Sequence, residues 1–526
     1  MAKAMEAVDV VIVGAGAAGS VYAAVLAEAG KKVLVLERGR ERKLTDLYSS
    51  QIWARRNKWA SPHVAEDGPD SIWFNFNAGH GYGGAALHHY GVWPRYHEED
   101  FRERTLYGRS LDWPFDYAEL RPFYDQIQSD VGISGDAVKE VWRPPGDPYP
   151  LPPVLVTNHG LVIARGFEAL KMRTAPVPMA VLSRPYKGRQ PCIWDGWCDA
   201  GCPIGALANP LVVYIPRAQK AGARLQPNAY VSRILTDGTG KKATGVEYHT
   251  PAGEKVFQPA GAVVLCAFTI ENPRILLNSG SRDHPNGLGN SSGTLGRYLT
   301  SHPSVSISGM WLKEDMQNVF GATGGQLISQ DAYGKKSDPG GAFGSRQWEI
   351  ALALKPNDLL GIAMTNPTIF GDDLHKFMRD GARHMGSMVG VCEDEPLPEN
   401  RVVLDSQKDQ FGMPLARVKY RTSAEGKKLW QTAAAEGVKI FKAAGANEAW
   451  HGPQGGQHIM GGTIMGNDPK ASVLNSAAQL HDVENVFVGG PGVFPTSAGV
   501  NSTFTAHAVA LKSARFLVKN WGSLKN

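Results

Sequence analysis

Long apolar runs are missing from this chain. Nowhere do about 18 apolar residues follow one another, which excludes a membrane-spanning helix. Residues Met1 to Val8 contain no apolar run of the kind an export signal needs. Cysteine is scarce, with five in 526 residues. Three of them (Cys192, Cys198 and Cys202) crowd into one short stretch, unlike the spacing of a disulfide framework. No Cys-x-x-Cys-His occurs, so any c-type haem belongs to another chain. Lys and Arg are scattered without a basic block, and the net charge of +5 on so long a chain is no nucleic-acid footprint. Internal repeats and low-complexity tails are absent as well.

Glycine, in contrast, is abundant: 60 of 526 residues, above the usual share of roughly 7%. Such an excess in a large chain points to tight turns and close backbone approach to a ligand. The length exceeds what one hydrophobic core serves and predicts two interleaved domains. Val8 to Val13 reads as a strand, followed by Gly14-Ala-Gly16-Ala-Ala18-Gly19, a helix to about Ala29, a second strand Val33 to Leu36, and Glu37. This is a complete βαβ unit of a Rossmann-like α/β fold. Its glycines let backbone N–H groups and a helix N-terminus approach a pyrophosphate, and the acid at the second strand's end suits ribose hydroxyls. The unit alone does not separate NAD from FAD, although its place near the first residue favours FAD.

Strands are also expected at Gly261 to Ala267 and Val486 to Val488, and helices at Thr422 to Ala444 and from about Ser502 to Trp521. The stretch from Met310 to Val418, with alternating apolar residues and Gly and Pro breaks, predicts an antiparallel sheet. The expected division is a discontinuous FAD-binding domain (1–95, 205–310 and 470–526) and a substrate domain (96–155 and 311–469). A cysteine-bearing loop region (156–204) completes it. In that loop the pattern Cys192-x5-Cys198-x3-Cys202-Pro203 provides three thiolates and no fourth ligand close by. Structural zinc and [4Fe–4S] sites want four ligands, whereas three thiolates suit a [3Fe–4S] cluster. Cys266 and Cys392 are read as buried structural thiols.

The C-terminal stretch Val488-Gly-Gly490-Pro-Gly-Val-Phe-Pro-Thr-Ser-Ala-Gly-Val-Asn501-Ser-Thr503, taken with Gly14 to Glu37, resembles the glucose-methanol-choline (GMC) oxidoreductase family end to end. Gly83-Gly84 with His88, Glu271 to Gly280, Leu295 to Pro303 and Gly456-Gln-His458-Ile-Met-Gly-Gly462 strengthen the resemblance. The resemblance implies FAD contacts at Gly14, Gly16, Ala18, Gly19, Glu37, Arg38, Gly83, Gly84, His88, Val231, Gly490, Asn501 and Thr503. It also implies a catalytic pair, His458 and Asn501, facing the flavin. The chemistry agrees: an alcohol must lose its O–H proton as its hydride leaves, and imidazole suits that task. Asn501 would hold the substrate oxygen, and it also stands where it could cap the last helix. Some family members link FAD covalently through a histidine at the position of His88; here a noncovalent neighbour is expected.

Within the family, the cysteine loop and Cys202-Pro-Ile-Gly-Ala206 resemble the bacterial FAD-dependent sugar dehydrogenases, the catalytic subunits of multi-subunit complexes. That implies a dehydrogenase of a sugar, sugar acid or polyol with FAD and a [3Fe–4S] cluster. It further implies a small partner subunit carrying the export signal, a cytochrome c acceptor and a periplasmic, membrane-associated location. The alternatives are an oxygen-using alcohol oxidase with structural cysteines, and a cytoplasmic location.

Overall fold

A computed structural model describes residues 3–58 and 64–525, with side chains left out at 3, 55–58, 75–76 and 525. The apolar run at the start forms β1 (Val8–Val13), and the Ala-rich stretch after the glycines forms α1 (Ala17–Glu28). Ala residues lose little entropy in a helix and let α1 lie close to the sheet. β2 (Val33–Leu36) pairs parallel with β1, and β3 (Lys255–Leu265) pairs parallel on its other side. Val486–Val488 also runs parallel to β3, while Tyr230–Thr236 and Ala243–His249 extend the sheet as an antiparallel meander. The result is an eight-stranded sheet with the Val-rich parallel strands at its centre, buried on both faces as such strands must be. The ends of β1, β2 and β3 converge on one edge, where ligands of open α/β sheets bind.

A second, seven-stranded sheet is antiparallel throughout. Its central strands are β4 (Thr300–Met310), β5 (Arg346–Ile350) and β6 (Met385–Cys392), and β7 (Gly455–Met460) pairs with β4. Helix α2 (Ala424–Ala443) covers one face, where Leu429, Ile440 and Phe441 pack against Ile307 and Trp348. Strand alternation on β5 turns Trp348 and Ile350 into that core and leaves Gln347 and Glu349 on the opposite side. The stretch expected to form an antiparallel sheet, Met310 to Val418, also contains two helices, Pro356–Ala363 and Asp372–His384. Pro at the first position and acids in the first turn explain their starts.

The long helix near the C-terminus, α3 (Thr503–Lys519), packs on α1, and a short helix, Trp521–Lys525, follows it. Its N-cap position is Ser502, and no side chain caps it. Asn501 therefore does not cap α3; its amide is engaged elsewhere. Cys266 lies just past the end of β3 instead of inside it, and Cys392 is the buried last residue of β6. No helix among the described residues is long and apolar enough to cross a membrane.

Candidate flavin and substrate site

One cavity runs from the glycine turn to the edge of the second sheet. Gly14, Gly16, Ala18, Glu37, Arg38, Gly84, His88, Val231, Gly490, Asn501, Thr503 and His458 all line it. Gly14 has φ +101°, and a Cβ there would stand 2.4 Å from the Cys266 carbonyl oxygen, so no other residue fits. Gly19 lies behind the wall: a Cβ on it would stand 2.0 Å from the Gly14 carbonyl oxygen, so its task is the close packing of α1 on the turn. Gly83 likewise supports the cavity from behind, donating its N–H to the Ala15 carbonyl at 3.0 Å. Gly19 and Gly83, expected among the FAD contacts, are not among the residues that line the cavity.

These residues fit a dinucleotide. α1 begins without a side-chain cap and without an acid in its first turn, leaving its N–H groups and positive end for a pyrophosphate. Glu37 accepts N–H groups of Ala15, Gly39 and Gly81 at 2.8–2.9 Å. A carboxylate has about four lone-pair sites, so one remains for a ribose hydroxyl. Arg38 stacks over the Tyr230 ring at 4.9 Å, making the floor beside it.

At the other end of the cavity stands the predicted pair. β7 carries a bulge: Thr300 faces Met460, but His302 faces Gln457, so β7 spends three residues where β4 spends two. The extra residue twists the strand, and His458 adopts φ +61° there. A left-handed backbone on a non-glycine residue stores strain, which functional sites tolerate. The His458 backbone N–H is tied to Asn77 Oδ1 at 2.8 Å.

The side-chain protons of this corner can be placed by elimination. His302 Nε2 lies 3.1 Å from the Ser497 carbonyl and 2.9 Å from that of Ala498. Carbonyls only accept, so Nε2 carries the hydrogen and Nδ1 of the neutral ring is bare. His458 Nδ1, 2.9 Å away, must therefore donate to it. That leaves His458 Nε2 bare, and Asn501 Nδ2 donates to it at 3.3 Å. Asn501 Oδ1 then accepts from Gln347 Nε2 at 2.7 Å, Gln347 Oε1 from Gln330 Nε2 at 3.2 Å, and Gln330 Oε1 from His97 Nε2 at 3.0 Å. Six side chains donate in one direction, and two backbone carbonyls fix the sense of all of them. Burial, with His302 beside it, holds the His458 imidazole well below its ordinary pKa, and burial brings His302 down to about 4. Both rings are neutral.

The sequence reading gave no role to His302, Gln347, Gln330 or Glu349. His302 was visible only as part of a motif. Gln347 and Glu349 were visible as two polar residues at strand spacing among apolar neighbours, the one signal that could have found them.

Cys192, Cys198 and Cys202 pack in one cluster with Val92, Met179, Leu207 and Ile328, apart from Cys266 and Cys392. Val92 also lines the flavin cavity, so the cysteine cluster abuts it. Trp194 N–H points to Cys192 Sγ at 3.3 Å and Leu207 N–H to Cys202 Sγ at 3.4 Å. Trp194 and Cys202 both take positive φ, so the loop is held against its preference. Burial pushes the Cys198 thiol up to about 12. The only three ligand-type atoms mutually within 4.8 Å among the described residues belong to Asp100, Glu103 and Glu393, which surround the Lys335 ammonium. The cysteine sulfurs are thus not drawn round a single ion such as zinc, whose roughly 2.3 Å bonds demand closer approach.

A nucleotide cradle ending at a neutral histidine–asparagine pair defines a flavin-dependent oxidoreductase acting on CH–OH groups. Family models described as GMC oxidoreductase match residues 8–304 and 396–510, and the chain belongs to the GMC oxidoreductase family. FAD is its cofactor. The chain is 31% identical to 2-methyl-1,2-propanediol dehydrogenase of Mycolicibacterium austroafricanum over 100% of this chain and 97% of that one. It is 28% identical to the fructose dehydrogenase large subunit of Gluconobacter japonicus over 96% and 97%. Among solved structures, a variant of formate oxidase from Aspergillus oryzae shares the fold, with TM-score 0.69, 16% identity and 99% of each chain covered.

Proposed function

We propose that the chain is the catalytic subunit of an FAD and iron–sulfur dehydrogenase that oxidises an alcohol group of a sugar, sugar acid or polyol. The observation that carries this is the bare Nε2 of His458 in the cavity wall beside the Asn501 amide. His458 Nε2 takes the O–H proton, and Asn501 turns its N–H to the substrate oxygen once His458 no longer accepts from it. Because His302 holds the Nδ1 proton in place, His458 presents the correct nitrogen before substrate arrives. Gly14, Gly16, Glu37 and the start of α1 hold FAD, which when bound accepts the hydride of the C–H bond. The names of the two relatives, one a propanediol dehydrogenase and one a fructose dehydrogenase, support a polyhydroxy substrate.

For the electron exit, the three cysteines support a [3Fe–4S] cluster. They share one apolar nest against the flavin cavity, two sulfurs receive backbone N–H groups, and no fourth cysteine is at hand. Such a cluster would pass electrons singly from a two-electron donor. Beside it Ile193 is 63% exposed and Phe320 53% exposed, an apolar surface that supports docking of a cytochrome c acceptor. A small subunit with an export signal and a periplasmic, membrane-associated location complete the proposal. The fructose dehydrogenase relative is itself named a large subunit.

The test is an anaerobic screen of sugars and polyols for flavin bleaching, with iron counting and low-temperature electron paramagnetic resonance on the same preparation. Bleaching by a polyol and a three-iron signal are expected. Zinc in place of iron, or turnover that needs oxygen and ignores cytochrome, overturns the electron route.

A further inference from the structure

Most buried acids in this chain are well matched. Glu271 meets Arg274, Glu393 meets Lys335, and Glu37 gathers three backbone N–H groups. Glu349 differs. It is 4% exposed and lines the cavity with His458 and Asn501, yet no Lys or Arg among the described residues pairs with it. Its hydrogen-bond partners are two neutral amides: Gln347 Nε2 at 3.3 Å, a nitrogen that gives its shorter bond, 2.7 Å, to Asn501, and Asn501 itself. A carboxyl offers about four acceptor sites, so Glu349 has capacity to spare, and it spends burial energy to keep it in the substrate space.

We propose that Glu349 is a specificity-determining residue that receives the hydroxyl next to the one oxidised, so that the enzyme reads a 1,2-diol unit. This rests on the sugar and polyol reading given above. The shared Gln347 nitrogen sets the carboxyl beside the Asn501 amide. A substrate oxygen held at His458 and Asn501 therefore has its neighbouring carbon's hydroxyl alongside Glu349. Burial pushes the Glu349 carboxyl up to about 7. A hydroxyl suits either state, donating to the carboxylate or accepting from the acid, whereas an ammonium suits only the carboxylate.

The preference should be large, because a site built to bond a hydroxyl leaves its own polar group unmatched when the analogue lacks it. The probes are propane-1,2-diol, propan-2-ol and 1-aminopropan-2-ol, which share the oxidised carbon and differ in one neighbouring group. Anaerobic flavin reduction of the FAD-loaded enzyme gives kcat/KM for each. The wild type should favour the diol over propan-2-ol by about 30-fold or more, the scale of a hydrogen bond to a charged group. In Glu349→Leu that ratio should fall to about threefold, and Glu349→Gln, which keeps one acceptor, should lie between. Retained flavin absorbance and an unshifted melting temperature show that each variant is folded, and Glu349→Gln carries the test if the leucine variant is not. A ratio unchanged by either substitution, or a preference for the amine, overturns the assignment. A wild type that takes propan-2-ol as readily as the diol overturns it and leaves the alcohol chemistry standing. A flavin untouched by all three probes and by every sugar and polyol overturns the substrate reading beneath it.

Discussion

His302 and His458 meet Nδ1 to Nδ1 at 2.9 Å, and because two backbone carbonyls claim the other nitrogen of His302, only His458 can be the donor. Removing the base in His458→Ala should leave FAD bound and slow its anaerobic reduction about 100-fold or more. His302→Leu should do nearly as much without touching substrate, because the His458 tautomer is then unfixed. His302→Gln can still donate at one end and accept at the other and should recover part of the rate. Stopped-flow flavin reduction decides; full activity in His302→Leu would remove the tautomer argument.

The pH dependence follows from the same corner. Burial and His302 hold His458 well below the ordinary histidine value of about 6.5. The protonated ring cannot accept a proton, so activity is lost on the acid side only. The acid limb of kcat/KM should therefore lie clearly below pH 6.5. A limb centred at 6.5 would mean that His458 is hydrated in the working enzyme.

Cys198→Ser should lose most iron while FAD stays bound, since Gly14, Gly16 and Glu37 lie on other elements. Flavin reduction by substrate should survive. Transfer onward to a cytochrome or an electrode should fall sharply, whereas a small dye should still be reduced. An iron-free variant with full cytochrome reduction would return the cysteines to a structural role.

Gly14→Ala should abolish FAD binding. The added methyl stands 2.4 Å from backbone and the residue has φ +101°, so the turn itself must move. Absorbance at flavin wavelengths after gel filtration reads the loss.

His88 lines the cavity, and acid precipitation tests its bond to the ring. Colour should pass into the supernatant; yellow, fluorescent protein in a denaturing gel would show a covalent link.

The nucleotide half was legible because its signals are local. Glycine spacing, the Val-rich strands and Glu37 lie within one βαβ unit, and Glu37 indeed closes the turn through Ala15, Gly39 and Gly81. His458 and Asn501 were legible only through motif resemblance. His302, Gln330, Gln347 and Glu349 were not, because their meaning arises where three distant strands and the start of α3 meet. A bulge in β7 and the direction of a carbonyl leave no trace in composition or periodicity. Gly19 shows the converse: the pattern marks it, and the structure adds that it packs α1 against Gly14.

The one-way chain of donors also governs where the abstracted proton can go. Once His458 is charged, the inward path leads to His302, and beyond it only to the carbonyls of Ser497 and Ala498, which cannot take a proton. The other direction passes through the amides of Asn501, Gln347 and Gln330, which carry protons poorly. Both interior routes are dead ends, so the proton must depart through the cavity, the same door the oxidised product uses. Proton release is thereby tied to the opening of that cavity, whose wall also carries Glu349. In weakly buffered solution with an indicator dye, acidification should lag behind flavin bleaching and keep step with product departure.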